Sequence, residues 1–298
     1  MPLRDTLPTW RHYFLDLPLW ALGFDGHALQ ERMHGFHQDD LPPTRHALQL
    51  LWGTDTDEQE LHAACRQAMR LKIEREADAY RTLLPSPLRF ELEGLEHLQE
   101  ARQQNGPIFL LTGHFGSFYT IAVALHRAGI PVFPVARTVD DSPANPKPRR
   151  LFEHLNYAST ERRIGGHYLY TDFAGRMDKR VVSVCRQGGV VLVLPDLPRR
   201  LFPGGRHPVT LFDRPATLPA RLFELGHKYK ACFLPTWSLI GPTRRARKLR
   251  IEAPLPTDSV AATLQGYADS LTRAVRETPA QWMALPIIEQ YFEAPDTP

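Results

Sequence analysis

Hydrophobic and polar positions change their rhythm near residue 85. From Asp57 to Leu83 good helix formers run without proline or glycine until Pro85, which predicts one long helix ending there. Beyond it, short apolar runs alternate with amphipathic stretches. Leu88–Glu93 reads as a strand, Leu95–Gln104 as a helix, and Pro107–Thr112 as a short strand that is apolar throughout. A helix at about Ser117–Ala128, stopped by Gly129, leads to a strand at Pro131–Ala136 and a proline-rich loop from Thr138 to Pro148. A helix at Ala174–Gln187 and a strand at Val190–Leu194 follow, then a loop of Arg, Gly and Pro to Pro208, a strand at Val209–Phe212, a helix at Ala216–Gly226 and a strand at Ala231–Ser238. Helices at Ser259–Glu277 and Ala280–Phe292 close the pattern. Fully apolar strands alternating with helices predict an α/β fold with a mixed, largely parallel central sheet flanked by helices. The expected organisation is a helical part over 1–85, an α/β core over 86–255 and C-terminal helices over 256–298, within one domain.

Composition narrows the function classes. The apolar run from His12 to Phe24 is interrupted by Asp16 and Pro18 and falls short of the ~20 residues a spanning helix needs, so no transmembrane helix is expected. The run is left to pack on the domain, to line an acyl pocket or to rest on a membrane interface. Cys65, Cys185 and Cys232 lie far apart inside apolar stretches, which predicts buried thiols, no disulfide and no metal site. A cytoplasmic location follows, with peripheral contact at the inner membrane left open. The net charge of +3 is too small to argue for nucleic acid. The cationic run Arg244–Arg250 suits either phosphates or an acidic carrier protein, or is a solvated hairpin.

Chemistry concentrates in Ile108-Phe-Leu-Leu-Thr-Gly-His-Phe-Gly-Ser-Phe-Tyr119. His114 falls just past the carboxyl end of a buried strand and before a helix, the crevice where open α/β sheets bind ligands. Gly113 and Gly116 let the chain turn sharply and let a substrate approach, and the helix start offers N–H groups to an anion.

The stretch RFELEGLEHLQEARQQNGPIFLLTGHFGSFY, residues 89–119, resembles the opening of the bacterial lipid A late acyltransferases, whose histidine precedes a glutamate by five positions within HFGNWE. Four further matches follow in order: Val135-Ala-Arg137 with Asn145-Pro146, Leu194-Pro-Asp196 to the family's LPDQ, Thr210–Thr217 to its FFGRPAAT turn, and Pro279-Ala-Gln-Trp282 to its PEQW box. The resemblance spans about residues 60–285. It implies a glycerolipid acyltransferase-like fold and an acyltransferase with His114 as general base. The donor would be an acyl carrier protein or coenzyme A thioester, bringing its own phosphopantetheine, with no resident cofactor. Of the motif residues, Arg137 would bind a phosphate or the developing oxyanion, and Ser117, Gly116 and Asn145 would lie along the substrate.

One position departs from the family, since Tyr119 stands where it has the dyad glutamate. Asp196 is the first candidate to replace that acid, with Asp140 and Asp141 behind it and the phenol itself as a further partner. Lipid A is not implied as acceptor, because Met283–Gln290 lacks the family's His-Arg-rich continuation; an amine or hydroxyl on a lipid or a specialised metabolite fits as well. Arg199, Arg200, Arg206 and Arg214 are expected to dock the acidic carrier beside the crevice. A rival reading is a non-catalytic acyl or carrier-binding protein derived from a transferase.

Overall fold

The computed structural model describes residues 7–53, 55–83, 88–138, 146–171 and 179–292. A seven-stranded sheet forms the centre, in the order β1-β9-β8-β2-β5-β3-β4. These strands are β1 (Arg89–Glu93), β2 (Ile108–Leu111), β3 (Val132–Arg137), β4 (Leu169–Thr171), β5 (Val190–Val193), β8 (Cys232–Ile240) and β9 (Ala246–Ile251). All neighbours are parallel except β8 and β9. A separate antiparallel pair, β6 (Arg206–Leu211) and β7 (Arg214–Pro219), turns through Phe212 and Asp213, both with positive φ.

The central strands β2 and β5 are buried along their whole length, as their unbroken apolar sequences require of strands covered on both faces. Alternate residues enter two cores: Phe109 and Leu111 join one face, Ile108 and Leu110 the other. Helices α6 (Leu95–Gln103), α7 (Ile121–Arg127), α8 (Lys147–Glu161), α9 (Arg180–Arg186), α10 (Arg221–Lys228) and α11 (Val260–Glu277) flank the sheets. The N-terminal part holds α1 (Leu7–Arg11), a π-helical turn (His12–Asp16), α2 (Leu17–Leu22), α3 (His27–Phe36), α4 (Leu41–Trp52) and α5 (Glu58–Arg81). The long helix α5 starts where Asp57 accepts from the main-chain N–H groups of Gln59 and Glu60, each at 3.1 Å, with Glu58 and Glu60 in its first turn. No helix is long and apolar enough to cross a membrane among the described residues.

The α/β class and most elements stand as the sequence predicts. Four local readings do not. Residues 216–219 belong to β7 instead of a helix, because Ala216 and Leu218 alternate inward against β6. Arg244–Arg250 lies on a hairpin with β8 that is only partly solvated: most of it forms β9, with Arg247, Leu249 and Ile251 turned inward. The segment after Pro146 forms α8, with Pro148 in its first turn where a missing N–H costs nothing. The predicted last helix is broken into 3-10 turns at Pro279–Gln281 and Leu285–Tyr291.

Candidate active site

Parallel register brings the two candidate residues together. Leu111 of β2 lies opposite Val193 of β5, so His114 and Asp196 each sit three residues past the same rung at the carboxyl rim. Asp196 Oδ1 lies 2.8 Å from His114 Nδ1, and its Oδ2 accepts the main-chain N–H of His114 at 2.7 Å. An ionised carboxylate only accepts hydrogen bonds, so Nδ1 carries the proton and Nε2 presents a lone pair. The His114 side chain is 23% exposed and lines a cavity, whereas the Asp196 side chain is fully buried.

The carboxylate is held from several sides. Trp282 Nε1 donates to Oδ2 at 3.0 Å, and Tyr291 Oη donates to the Asp196 carbonyl at 2.8 Å. Gly113 is required here, because a Cβ at this position would stand 2.8 Å from Oδ2. Trp282 belongs to the box that resembles the family's PEQW, whereas no sequence motif marks Tyr291. Both lie more than eighty residues from Asp196 along the chain, beyond the reach of local pattern.

The loop after β2 is stitched down by the Pro279–Trp282 box. Met283 N–H donates to the His114 carbonyl and Gly116 N–H to the Gln281 carbonyl, each at 2.8 Å, which forms an antiparallel bridge between Phe115 and Trp282. Ser117 N–H donates to the Ser238 carbonyl at 3.0 Å. The Gly116 and Ser117 amides are therefore occupied by main-chain carbonyls. Gly116 adopts φ +52°, and a Cβ there would meet the Ser238 carbonyl oxygen at 1.6 Å, so its role is close packing against β8.

Ser117 faces away from the cavity. It is fully buried and donates to Asp78 of α5, whose carboxylate also accepts from Arg247 Nε at 2.6 Å and Arg81 Nη1 at 2.9 Å. Arg75 Nε donates to the Gly116 carbonyl at 2.8 Å. Neither Ser117 nor Gly116 lines the cavity, so the substrate contact expected of both gives way to support of the loop by α5 and β9.

The cavity measures about 370 Å³ and draws its walls from both faces of the sheet. Val135, Leu222 and Ile287 come from one core, Tyr119, Ala122 and Tyr157 from the other. Arg137, at the end of β3, lines it as expected. Asn145, Asp140 and Asp141 lie outside the described residues. No hydrogen bond joins Tyr119 to His114 or Asp196 among the described residues; its ring packs against Phe118 at 4.1 Å. Burial pushes the Tyr119 phenol up to about 12, helped by the negative charge of Glu153, so it is a neutral wall residue. Sequence reading missed Arg149, Glu153 and Tyr157, which share one face of α8 at i, i+4 spacing and line the cavity; Arg149 Nε donates to Glu153 at 3.0 Å.

The arginines expected to dock a carrier separate into two kinds. Arg206 is spent on its own loop, donating to Thr217 Oγ1 and to the carbonyls of Phe202 and Leu197 at 2.8–2.9 Å. Burial brings its pKa down to about 10. Arg200 and Arg214 are exposed and Arg199 is half-buried, with Arg214 lying over the Phe292 ring at 4.0 Å. In the secondary run, Arg247 is buried against Asp78, Lys248 pairs with Glu91 and Glu93, Arg250 with Glu277, and Arg244 with Asp25. Four of the five cations of that run are thus held in ion pairs.

Fold and site define a class: an α/β protein whose histidine–carboxylate pair sits on the carboxyl rim of a parallel sheet and opens into a cavity. The model of the bacterial lipid A biosynthesis acyltransferase family matches residues 86–286, and the chain belongs to that family. Nothing among curated proteins matches it. Membership suggests an acyltransferase of lipid modification.

Proposed function

We propose that the chain moves an acyl group from a carrier-protein or coenzyme A thioester to an amine or hydroxyl, with His114 as general base and Asp196 as its orienting acid. The observation that carries this reading is the 2.8 Å contact between His114 Nδ1 and Asp196 Oδ1, made by a histidine that lines the cavity and has Nε2 left over for a substrate. Nε2 takes the proton from the acceptor as its nitrogen or oxygen attacks the thioester carbonyl. The C–S bond then breaks, and the imidazolium returns the proton to the departing thiolate. Asp196 stabilises the imidazolium formed on the way. Arg137 lies on the cavity wall, where a guanidinium fork suits a phosphate or the oxyanion. The apolar walls from Val135, Leu222 and Ile287 suit the acyl chain. No step calls for a resident cofactor.

Intact-mass detection of acyl loss from a panel of acyl-carrier thioesters, with candidate amines and alcohols present, tests the reading. Wild-type protein should turn over at least one pair, and His114→Ala should lose the activity while unfolding at an unchanged temperature. Binding of acyl-carrier without transfer in any pairing would favour the carrier-binding alternative.

A further inference from the structure

His12, His37 and Glu76 meet in the helical N-terminal part, outside the residues that match the family. They come from three elements: His12 opens the π-helical turn, His37 follows α3, and Glu76 lies in α5. Nε2 of His12 is 3.0 Å and Nε2 of His37 is 3.3 Å from the same oxygen, Glu76 Oε2, and the three atoms lie within 4.8 Å of one another. Both histidines are buried, at 2% and 5% exposure.

Hydrogen bonding accounts for only part of this cluster. His12 and Glu76 form a bond at 3.0 Å, but His37 Nε2, although close, is misaligned and has no hydrogen-bond partner. Leaving such a buried group unpaired is costly, and native structures rarely do so without a reason. The spacing has another explanation. Nitrogen and oxygen ligands at ~2.0–2.2 Å from a tetrahedral zinc ion stand roughly 3.3–3.6 Å apart, which the His37 separation meets and the His12 separation approaches from below. His12 also opens a π-helical turn, a rare geometry that recurs at functional sites, and its ring is fixed by stacking on Phe36 at 3.7 Å.

The neighbouring cations have partners of their own: Lys72 pairs with Asp40, Arg149 with Glu153, and Arg75 with the Gly116 carbonyl.

We propose that His12, His37 and Glu76 bind a divalent transition-metal ion, zinc by their ligand set, as a structural clip of the N-terminal helices onto α5. The site departs from the expectation of no metal drawn from the cysteines. The clip would act close to the catalytic loop, because Arg75 and Asp78, on either side of Glu76 along α5, hold Gly116 and Ser117.

The test uses the full chain, stripped with a chelator and titrated with Zn²⁺ or Co²⁺ alone. Expected are one ion per chain by calorimetry, visible d–d absorption of tetrahedral Co²⁺, and a Tm rise of roughly 5 °C or more at a hundredfold excess over Kd. His37→Gln and Glu76→Gln should each weaken binding at least tenfold at unchanged circular dichroism, while His34→Gln, on the exposed side of α3, should not. Absence of binding to wild-type protein, or equal binding by His37→Gln and Glu76→Gln, overturns the proposal. Should those variants fail to fold, the Co²⁺ spectrum of wild-type protein decides alone: tetrahedral bands support the site, and their absence rejects it.

Discussion

Replacing Asp196 by Asn keeps the side chain's shape but loses the charge and half its accepting capacity. An amide NH₂ cannot accept from the three donors that converge on the carboxylate: His114 Nδ1, the His114 main-chain N–H and Trp282 Nε1. The imidazole would shift tautomer or turn away. We expect Asp196→Asn to lower kcat by about 10⁴, equivalent to about 5 kcal/mol, as loss of the orienting acid does in other histidine dyads. Tyr119→Phe removes a neutral hydroxyl without a bond to the pair, and should cost less than tenfold. Side-by-side turnover of the two variants checks this; the opposite ranking would make the phenol the partner of His114. Much of the pair was legible in sequence, since flanking glycines marked His114 and a strand-end position marked Asp196. The holders of Asp196 were not legible, because Trp282 and Tyr291 reach it only through tertiary packing.

At the level of elements, the loop that carries His114 depends on α5 and β9, neither of which touches the cavity at Asp78 or Arg247. The Asp78 carboxylate, fully buried, binds Arg247, Arg81 and Ser117 together and so ties helix, strand edge and loop. Arg81 would remain on Asp78 but is shared with the buried Glu74, so deleting Arg247 leaves this cluster one cation short. Arg247→Ala should therefore destabilise the fold by about 3–5 kcal/mol, measured by denaturant unfolding at constant m-value. Gly116→Ala should destabilise by a separate route, because the Ser238 carbonyl occupies the space a Cβ would need. The strands β2 and β5 were legible as apolar runs. By contrast, β7 and β9 were not: alternation in Arg214–Pro219 is masked by two prolines, and the inward Arg247 of β9 reads as a surface cation until Asp78 supplies its counter-charge.

Over the whole molecule, the proposed delivery of a carrier-linked donor turns on the charge around the cavity. The loop carrying Arg199 and Arg200 follows directly from Asp196, and Leu197, Pro198, Leu201 and Phe202 of that loop line the cavity wall. Arg206 anchors the loop instead of facing a partner, and Arg244, Arg247, Lys248 and Arg250 are ion-paired, whereas Arg199 and Arg200 lie on the loop that forms the cavity wall. An acidic carrier protein meeting these loop arginines gains encounter rate from long-range attraction, and salt screens that attraction over about 8 Å at physiological strength. Transfer from a carrier-linked thioester should thus slow as salt rises, through kcat/KM more than kcat, while a small neutral thioester mimic should respond little. Arg199→Glu with Arg200→Glu should reproduce the high-salt loss at low salt for the carrier donor alone. Arg206→Glu should instead lower Tm and affect both donors, because it breaks the loop that forms the wall. Equal salt response for both donors, together with full tolerance of the double reversal, would show that these arginines only solvate the loop.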